Sequence, residues 1–189
     1  NEETNPMIGV FDSGIGGLSV LKALRKELPS EDFAYVADNA NAPYGERGDA
    51  FVLLRSRVIT SYLRHTHHIK ALVIPCNTAT AAAIAELRAE HPDLPIVGVE
   101  PALKPALGLS VTKRIAVWAT RGTLESAKFA ALKASLSDQA EFICQPCDGL
   151  AVAIENSDTT KIEALCAEYT RASGPFGTEI QHADCLVLG

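Results

Sequence analysis

The stretch Ala71 to Ile84, ALVIPCNTATAAAI, decides how this chain is read. A short apolar run, Ala71 to Ile74, predicts a buried strand. The alanine-rich segment after Pro75-Cys76-Asn77-Thr78 predicts a helix out to about His91. Cys76 therefore stands where a strand hands over to a helix. A thiol at that address lies at the carboxyl end of a parallel strand and faces the free N–H groups and positive dipole end of the next helix, which favours thiolate over thiol. Against this stands the ordinary fate of a free cysteine, a small buried hydrophobe, and position alone balances the two.

Working outward, the same alternation repeats on both sides. Met7 to Phe11 predicts a strand, Asp12-Ser13-Gly14-Ile15-Gly16-Gly17 a glycine-rich turn, and LSVLKALRKEL, with Leu18, Leu21, Leu24 and Leu28 at helical spacing, a helix. A dinucleotide fingerprint would need glycine at 19, where Ser19 stands, and no GxxxxGK[ST] occurs, so the turn offers Asp12 and Ser13 rather than a nucleotide cradle. Asp12 read as a simple turn or helix cap is the bland alternative. Phe33 to Ala37 predicts a second strand, and the segment Asp38 to Gly45 is aperiodic and rich in turn formers. From Asp49 to about His67 the periodicity predicts an amphipathic helix burying Phe51, Leu54, Val58, Tyr62 and His65 on one side. His65, His67 and His68 lack a nearby carboxylate or cysteine, which reads as a solvated helix end rather than a metal site.

Ile96 to Val99 is a fourth strand, and strand alternating with helix calls for a parallel sheet covered on both sides. Leu103 to Leu109 is a short helix. Arg114 to Ala119 restarts the pattern, followed by a helix over Leu124 to Leu136, a strand over Glu141 to Cys144, helices over Leu150 to Glu155 and Thr159 to Ala172, and a strand over Asp184 to Leu188. Cys144-Gln145-Pro146-Cys147 fits a CxxC template. With no helix opening on it and no second pair to complete a zinc site, coincidence is favoured. Cys166 and Cys185 read as core residues.

With 189 residues and 47% hydrophobic composition the chain can bury a sizeable core, in one domain or two small ones. A formal charge of −6 gives no basic field for nucleic acid or anionic lipid. No run reaches the ~18 apolar residues of a membrane span, and the polar start NEETNP lacks a signal-peptide layout, so a cytosolic protein is expected. Five cysteines, an odd number in a chain of this size, predict reduced thiols.

Six motifs in unbroken order, FDSGIGGLSVL at 11–21, ADNANAPYGER at 37–47, VIPCNTATA at 73–81, VGVEPALKPA at 97–106, ATRGTLES at 119–126 and the terminal CLVLG, resemble the glutamate racemases of the aspartate/glutamate racemase superfamily. The resemblance implies an α/β protein of two pseudo-symmetric αβ domains with mainly parallel sheets and the active site at the domain interface. It makes residues 1–99 the first domain, lacking its C-terminal return segment, and 100–189 a truncated second. It implies a cofactor-independent racemase with two opposed thiols and no metal, converting L- and D-glutamate for peptidoglycan synthesis, and a homodimer. Cys76 matches the first catalytic cysteine, Asp12 the acid beside it, and Glu155, closing DGLAVAIE, a supporting glutamate. Asp12-Ser13, Tyr44-Gly45 and Asn77-Thr78 match substrate-binding pairs, while Thr120 and Thr123 fall on an ATxGT pattern. In the family, Cys-Pro-Gly usually stands where this chain has Cys147-Asp148-Gly149. The chain is further expected to stop one residue before the second catalytic thiol.

Racemising an amino acid means taking the α-proton from one face and returning one on the other, for which two thiols facing each other across the carbon are economical. Ser13, Asn77 and Thr78 could donate hydrogen bonds to the carboxylate where charge grows, and Asp12 could hold the ammonium or carry protons through Cys76. The competing readings are a cysteine amidase, which would want a histidine base near Cys76, a single-cysteine decarboxylase of the same superfamily, and a small-anion binding module or inert fragment.

Overall fold

In the computed structural model residues 6–189 are described, so the polar opening read above for a signal peptide falls, but for Pro6, outside the described residues. The chain divides into two compact units, one ending at Val99 and the other running from Glu100 to Gly189. In the first, the order is β1 (Ile8–Asp12), α1 (Leu18–Glu27), β2 (Phe33–Ala37), two 3-10 turns (Asn39–Asn41 and Tyr44–Glu46), α2 (Asp49–His67), β3 (Ala71–Ile74), α3 (Asn77–Glu90) and β4 (Ile96–Gly98). The strands form one parallel sheet in the order β2-β1-β3-β4, with Val10 opposite Tyr35 on one side and Val73 on the other. Every residue of β1 is buried, as a strand flanked on both edges and covered on both faces requires.

The second unit holds α4 (Leu103–Leu109), β5 (Arg114–Ala119), α5 (Arg121–Leu124), α6 (Ala127–Ala134), β6 (Glu141–Pro146), α7 (Leu150–Glu155), α8 (Thr159–Ser173) and β7 (Cys185–Leu188). Its sheet is again parallel, in the order β6-β5-β7. Both units thus start in the middle of the sheet, place the next strand on one side and the third on the other. The core of the first gathers Phe11, Leu63, Leu72, Ile74 and Leu87. That of the second gathers Leu103, Ile115, Val117, Phe129 and Val187. A smaller cluster joins Trp118, Cys147 and Tyr169, whose polar ends are satisfied: Trp118 Nε1 donates to Ser173 Oγ at 2.8 Å and Tyr169 Oη to the Asp148 carbonyl at 2.5 Å.

Three local expectations are corrected. The inner face of α2 is Val52, Ser56, Ile59, Thr60 and Leu63, whereas Leu54 (57% exposed), Val58, Tyr62 and His65 face outward and Phe51 is half-buried. Two apolar stripes compete on this helix, and the one carrying small hydroxyl residues packs inward. Ser56 Oγ satisfies itself on the Val52 carbonyl at 2.8 Å, which removes the cost of burying it. The helix expected over Leu124 to Leu136 is two, because Ser126 interrupts it and caps α6 by accepting from Phe129 N. β6 continues through Pro146, placing Cys144 inside the strand and Cys147 just beyond it, both as free thiols. Among the described residues, no helix is long and apolar enough to cross a membrane.

Two contacts hold these layers. Gly98 lies under α3 so closely that a Cβ there would meet Thr80 Cγ2 at 2.5 Å and Ile84 Cδ1 at 2.6 Å. Thr80 Oγ1 also bridges the Ile74 carbonyl and Val99 N–H. In the second unit, Asp184 accepts from Ser110 Oγ at 2.6 Å and from the N–H groups of Val111 and Thr112 at 2.7 and 3.0 Å. The hydrogen bond from Ser110, then those from the backbone, hold its carboxyl well below the usual carboxylate range. Gly98→Ala is expected to lower stability by about 1–3 kcal/mol in denaturant titration, as overpacking does. A depressed folded-state pKa means the Asp184 contribution is full above the ordinary carboxylate range and is lost as pH falls below it. Asp184→Asn should therefore show a flatter acid limb than the wild type in thermal melts taken from about pH 5 downward.

Candidate active site

In an open parallel sheet, ligands bind outside the carboxyl ends of the strands where the winding reverses. In the first unit that point lies between β1 and β3. There β1 ends on Asp12, with Ser13 next, and β3 runs through Pro75 to Cys76, the N-cap of α3. The fold thus brings Asp12, Ser13 and Cys76 to one place from residues more than sixty positions apart.

Cys76 is 8% exposed. Its sulfur accepts from Ala79 N at 3.3 Å and, as a thiol, donates to Ser13 Oγ at 3.6 Å. Burial, and after it the negative charge of Asp12, push the thiol up, while the Ala79 N–H and Ser13 pull the other way without prevailing. The expectation of a resting thiolate is corrected: the helix N-terminus is present, but a sulfur taken out of water beside a carboxylate is favoured as S–H. Asp12 is buried too, and its Oδ2 accepts from Gly14 N at 3.0 Å, so the turn-capping role coexists with its place beside the thiol. The turn is held from outside by Tyr35 Oη, which donates to the Gly14 carbonyl at 2.9 Å. Gly17 is required for close approach, since a Cβ there would come within 2.8 Å of Asp12 Cβ and 2.9 Å of Tyr35 Oη.

Tyr44 and Gly45 are both buried in a short 3-10 turn after β2. Tyr44 is only 1% exposed, and its hydroxyl donates to Asp38 Oδ2 at 2.5 Å. Its phenol is pushed up by burial and by that bond, so the hydroxyl is committed to the carboxylate. What this pair can offer a ligand is backbone. Asn77 and Thr78 occupy the first turn of α3, at the positive end of the helix dipole. The Asn77 Oδ1 atom is buried without a hydrogen-bond partner, and Thr78 is buried.

In the second unit, Thr120 follows β5 beside the corresponding reversal between β5 and β7, and caps α5. Its Oγ1 accepts from Thr123 N at 3.3 Å and donates to Thr123 Oγ1 at 3.1 Å, while Thr123 itself is buried. A pocket of about 190 Å³ opens there, lined by Trp118, Thr120, Cys147, Leu150, Ile154 and Leu188 among others. Thr120 reaches it; Thr123 and Glu155 are not among its walls. Glu155 is half-buried at the end of α7. Cys147 is pushed up to about 12, by burial first and then by Cys166 and Asp148, which marks an inert thiol.

Asp38 is the residue that sequence reasoning passed over. It comes directly after β2, where Asp12 closes β1, and an acid at the end of each strand was the available signal. Arg55, its partner, carried none.

Residues 8–189 match the family model described as Asp/Glu/Hydantoin racemase. A glutamate racemase of Pseudomonas entomophila is 45% identical over the whole of this chain and 69% of its own length; one of Ectopseudomonas mendocina is 52% identical over 78% of this chain and 56% of its own. Among solved structures, Escherichia coli glutamate racemase in complex with L-glutamate and the activator UDP-MurNAc-Ala superposes with a TM-score of 0.82 at 30% identity, covering 98% of this chain and 69% of that one. The Bacillus anthracis isoform RacE1 gives 0.81 at 30% identity over 96% of this chain and 67% of that one. The chain thus spans between 56% and 69% of the length of these relatives.

Because Asp12 raises the thiol through charge, Asp12→Asn should move the pH midpoint of Cys76 alkylation downward, read by mass spectrometry of the iodoacetamide adduct. Ser13→Ala, which removes a bond favouring the anion, should move it upward. An unshifted or raised midpoint in Asp12→Asn would contradict the charge assignment.

Proposed function

The chain belongs to the glutamate racemases of the Asp/Glu/hydantoin racemase family, and from that premise we propose that its first unit performs the Cys76 half of a two-thiol interconversion of L- and D-glutamate, supplying D-glutamate for peptidoglycan. The observation that carries this reading is the buried Cys76 thiol at the sheet's reversal point, with Asp12 and Ser13 beside it. As a thiolate, Cys76 takes the α-proton on one face; the electrons of the C–H bond move into the carboxylate, giving an enediolate-like intermediate. The family's second thiol returns a proton to the opposite face, and its residue follows the strand end that matches Leu188-Gly189.

An empty site keeps Cys76 protonated, so substrate must help ionise it. A glutamate ammonium placed beside Asp12 cancels the charge that opposes the thiolate, and a cation near a thiol lowers its pKa. Asp12 then holds the ammonium or accepts the proton that Cys76 releases. Ser13, the α3 N-terminal amides at Asn77 and Thr78, and the Gly45 backbone are assigned to the substrate carboxylates, where donors act most strongly as charge grows. The unpartnered Asn77 Oδ1 is assigned to the ammonium, being an acceptor. In the second unit Thr120 is assigned to substrate through its side chain. Thr123 supports it by bonding to the Thr120 hydroxyl, and Glu155 acts as an auxiliary acid or base. A homodimer in the cytosol belongs to the same proposal; it rests on the family resemblance alone.

The test is α-proton exchange of D- and L-glutamate in deuterated water, followed by NMR. Cys76→Ala is expected to lose at least about a hundredfold in exchange rate, the scale of a general acid or base. Retention of full exchange would remove Cys76 from the chemistry.

A further inference from the structure

The mechanism leaves one buried carboxylate unused. Asp38 is 8% exposed and takes four donors: Tyr44 Oη and Arg55 Nε on Oδ2 at 2.5 and 2.8 Å, and Arg55 Nη2 and Asn41 Nδ2 on Oδ1 at 3.0 and 2.9 Å. Its own N–H donates to the Asp12 carbonyl at 3.0 Å, so the node is tied to the end of β1, next to Ser13. Burial works against the Asp38 charge, but the bonds from Arg55, then Tyr44 and Asn41, outweigh it and keep the carboxyl below the usual range. Arg55 is the cation of this group and comes from the second turn of α2.

We infer that Arg55 is a positioning residue for substrate binding: through a two-pronged bond to Asp38 it locks Asn41 and Tyr44, and with them the Gly45 backbone, in the shape that receives the substrate carboxylate. The inference rests on the racemase reading for what the loop binds, but the clamp itself is a matter of geometry. Tyr44 adds to it by packing edge-on to Phe11 at 6.1 Å and Phe51 at 6.4 Å between ring centres, so its ring is gripped and its hydroxyl has a single direction. Removing the guanidinium leaves a carboxylate out of water with no counter-charge. Asp38 then takes up a proton or draws in water, and the loop loses its fixed end. A group that binds substrate equally before and at the transition state affects KM and leaves kcat alone.

The experiment compares Arg55→Met and Arg55→Lys with the wild-type protein in glutamate kinetics and in backbone hydrogen exchange. Arg55→Met is expected to raise KM about tenfold, the scale of a lost charge-assisted hydrogen bond, with kcat within about threefold. Arg55→Lys, which keeps the charge but not the fork, should recover only part of KM. Amide exchange over Asn41 to Glu46 should quicken in Arg55→Met while the first turn of α3 is unchanged. An unchanged KM in folded Arg55→Met, or a fall in kcat at constant KM, overturns the inference. Should Arg55→Met fail to fold, Arg55→Lys decides by the same two quantities. If the wild type turns over no glutamate, the proposed activity of this chain by itself falls, while its family membership stands. Amide exchange then decides the clamp: faster exchange at Asn41 to Glu46 upholds it, and unchanged exchange overturns it.

Discussion

Asp12 and Cys76 are held side by side at the ends of adjacent parallel strands, and both are largely removed from water. Two groups that repel once both are ionised do not settle into such an arrangement for stability. Burial penalises each charge, and each charge penalises the other. What keeps the pair together is the backbone around it: strand pairing on both sides of β1, the Gly14 N–H on the Asp12 carboxylate and the Ala79 N–H on the sulfur. The empty site escapes that tension by keeping the Cys76 proton, and ionising the thiol brings it in. In the proposed reaction, a substrate ammonium placed beside Asp12 would relieve it and so ready the thiol.

That tension needs rigid walls, and the walls are built by close packing. Gly17 lets the turn lie against Asp12 and Tyr35, and Gly98 lets β4 lie under Thr80 and Ile84 of α3. In both places a methyl group would collide with side chains. Around Asp38 rigidity is obtained by hydrogen bonding instead, with four donors converging on one carboxylate. Packing fixes the strand ends and the start of α3, while the polar node fixes the loop between them.

The second unit repeats the winding of the first, and its Thr120 stands at the equivalent strand end. The chemistry found there is different. The Thr120 hydroxyl caps α5 and bonds to Thr123, the adjacent pocket is mostly apolar, and the Cys147 thiol is suppressed by burial. A shared topology supplies the same address twice; the residues placed there decide what it can do.

The alternation of apolar runs with helical periodicity determined the α/β class and the parallel sheets by itself, because buried strands and amphipathic helices each have one spacing that satisfies them. Cys76 at its strand-to-helix junction and Asp12 in its glycine turn were legible for the same local reason. The buried face of α2 was not, since Leu54, Val58 and Tyr62 and the stripe of Val52, Ser56, Ile59 and Leu63 are both helical stripes, and only the neighbouring elements choose between them. The protonation of Cys76 was also decided by tertiary structure. The sequence places the helix end, which favours thiolate, but burial and a carboxylate from another strand set the balance. Asp38 and Arg55 meet across seventeen residues through a loop without periodicity. No local pattern encodes such a contact, so it exists only once the chain has folded.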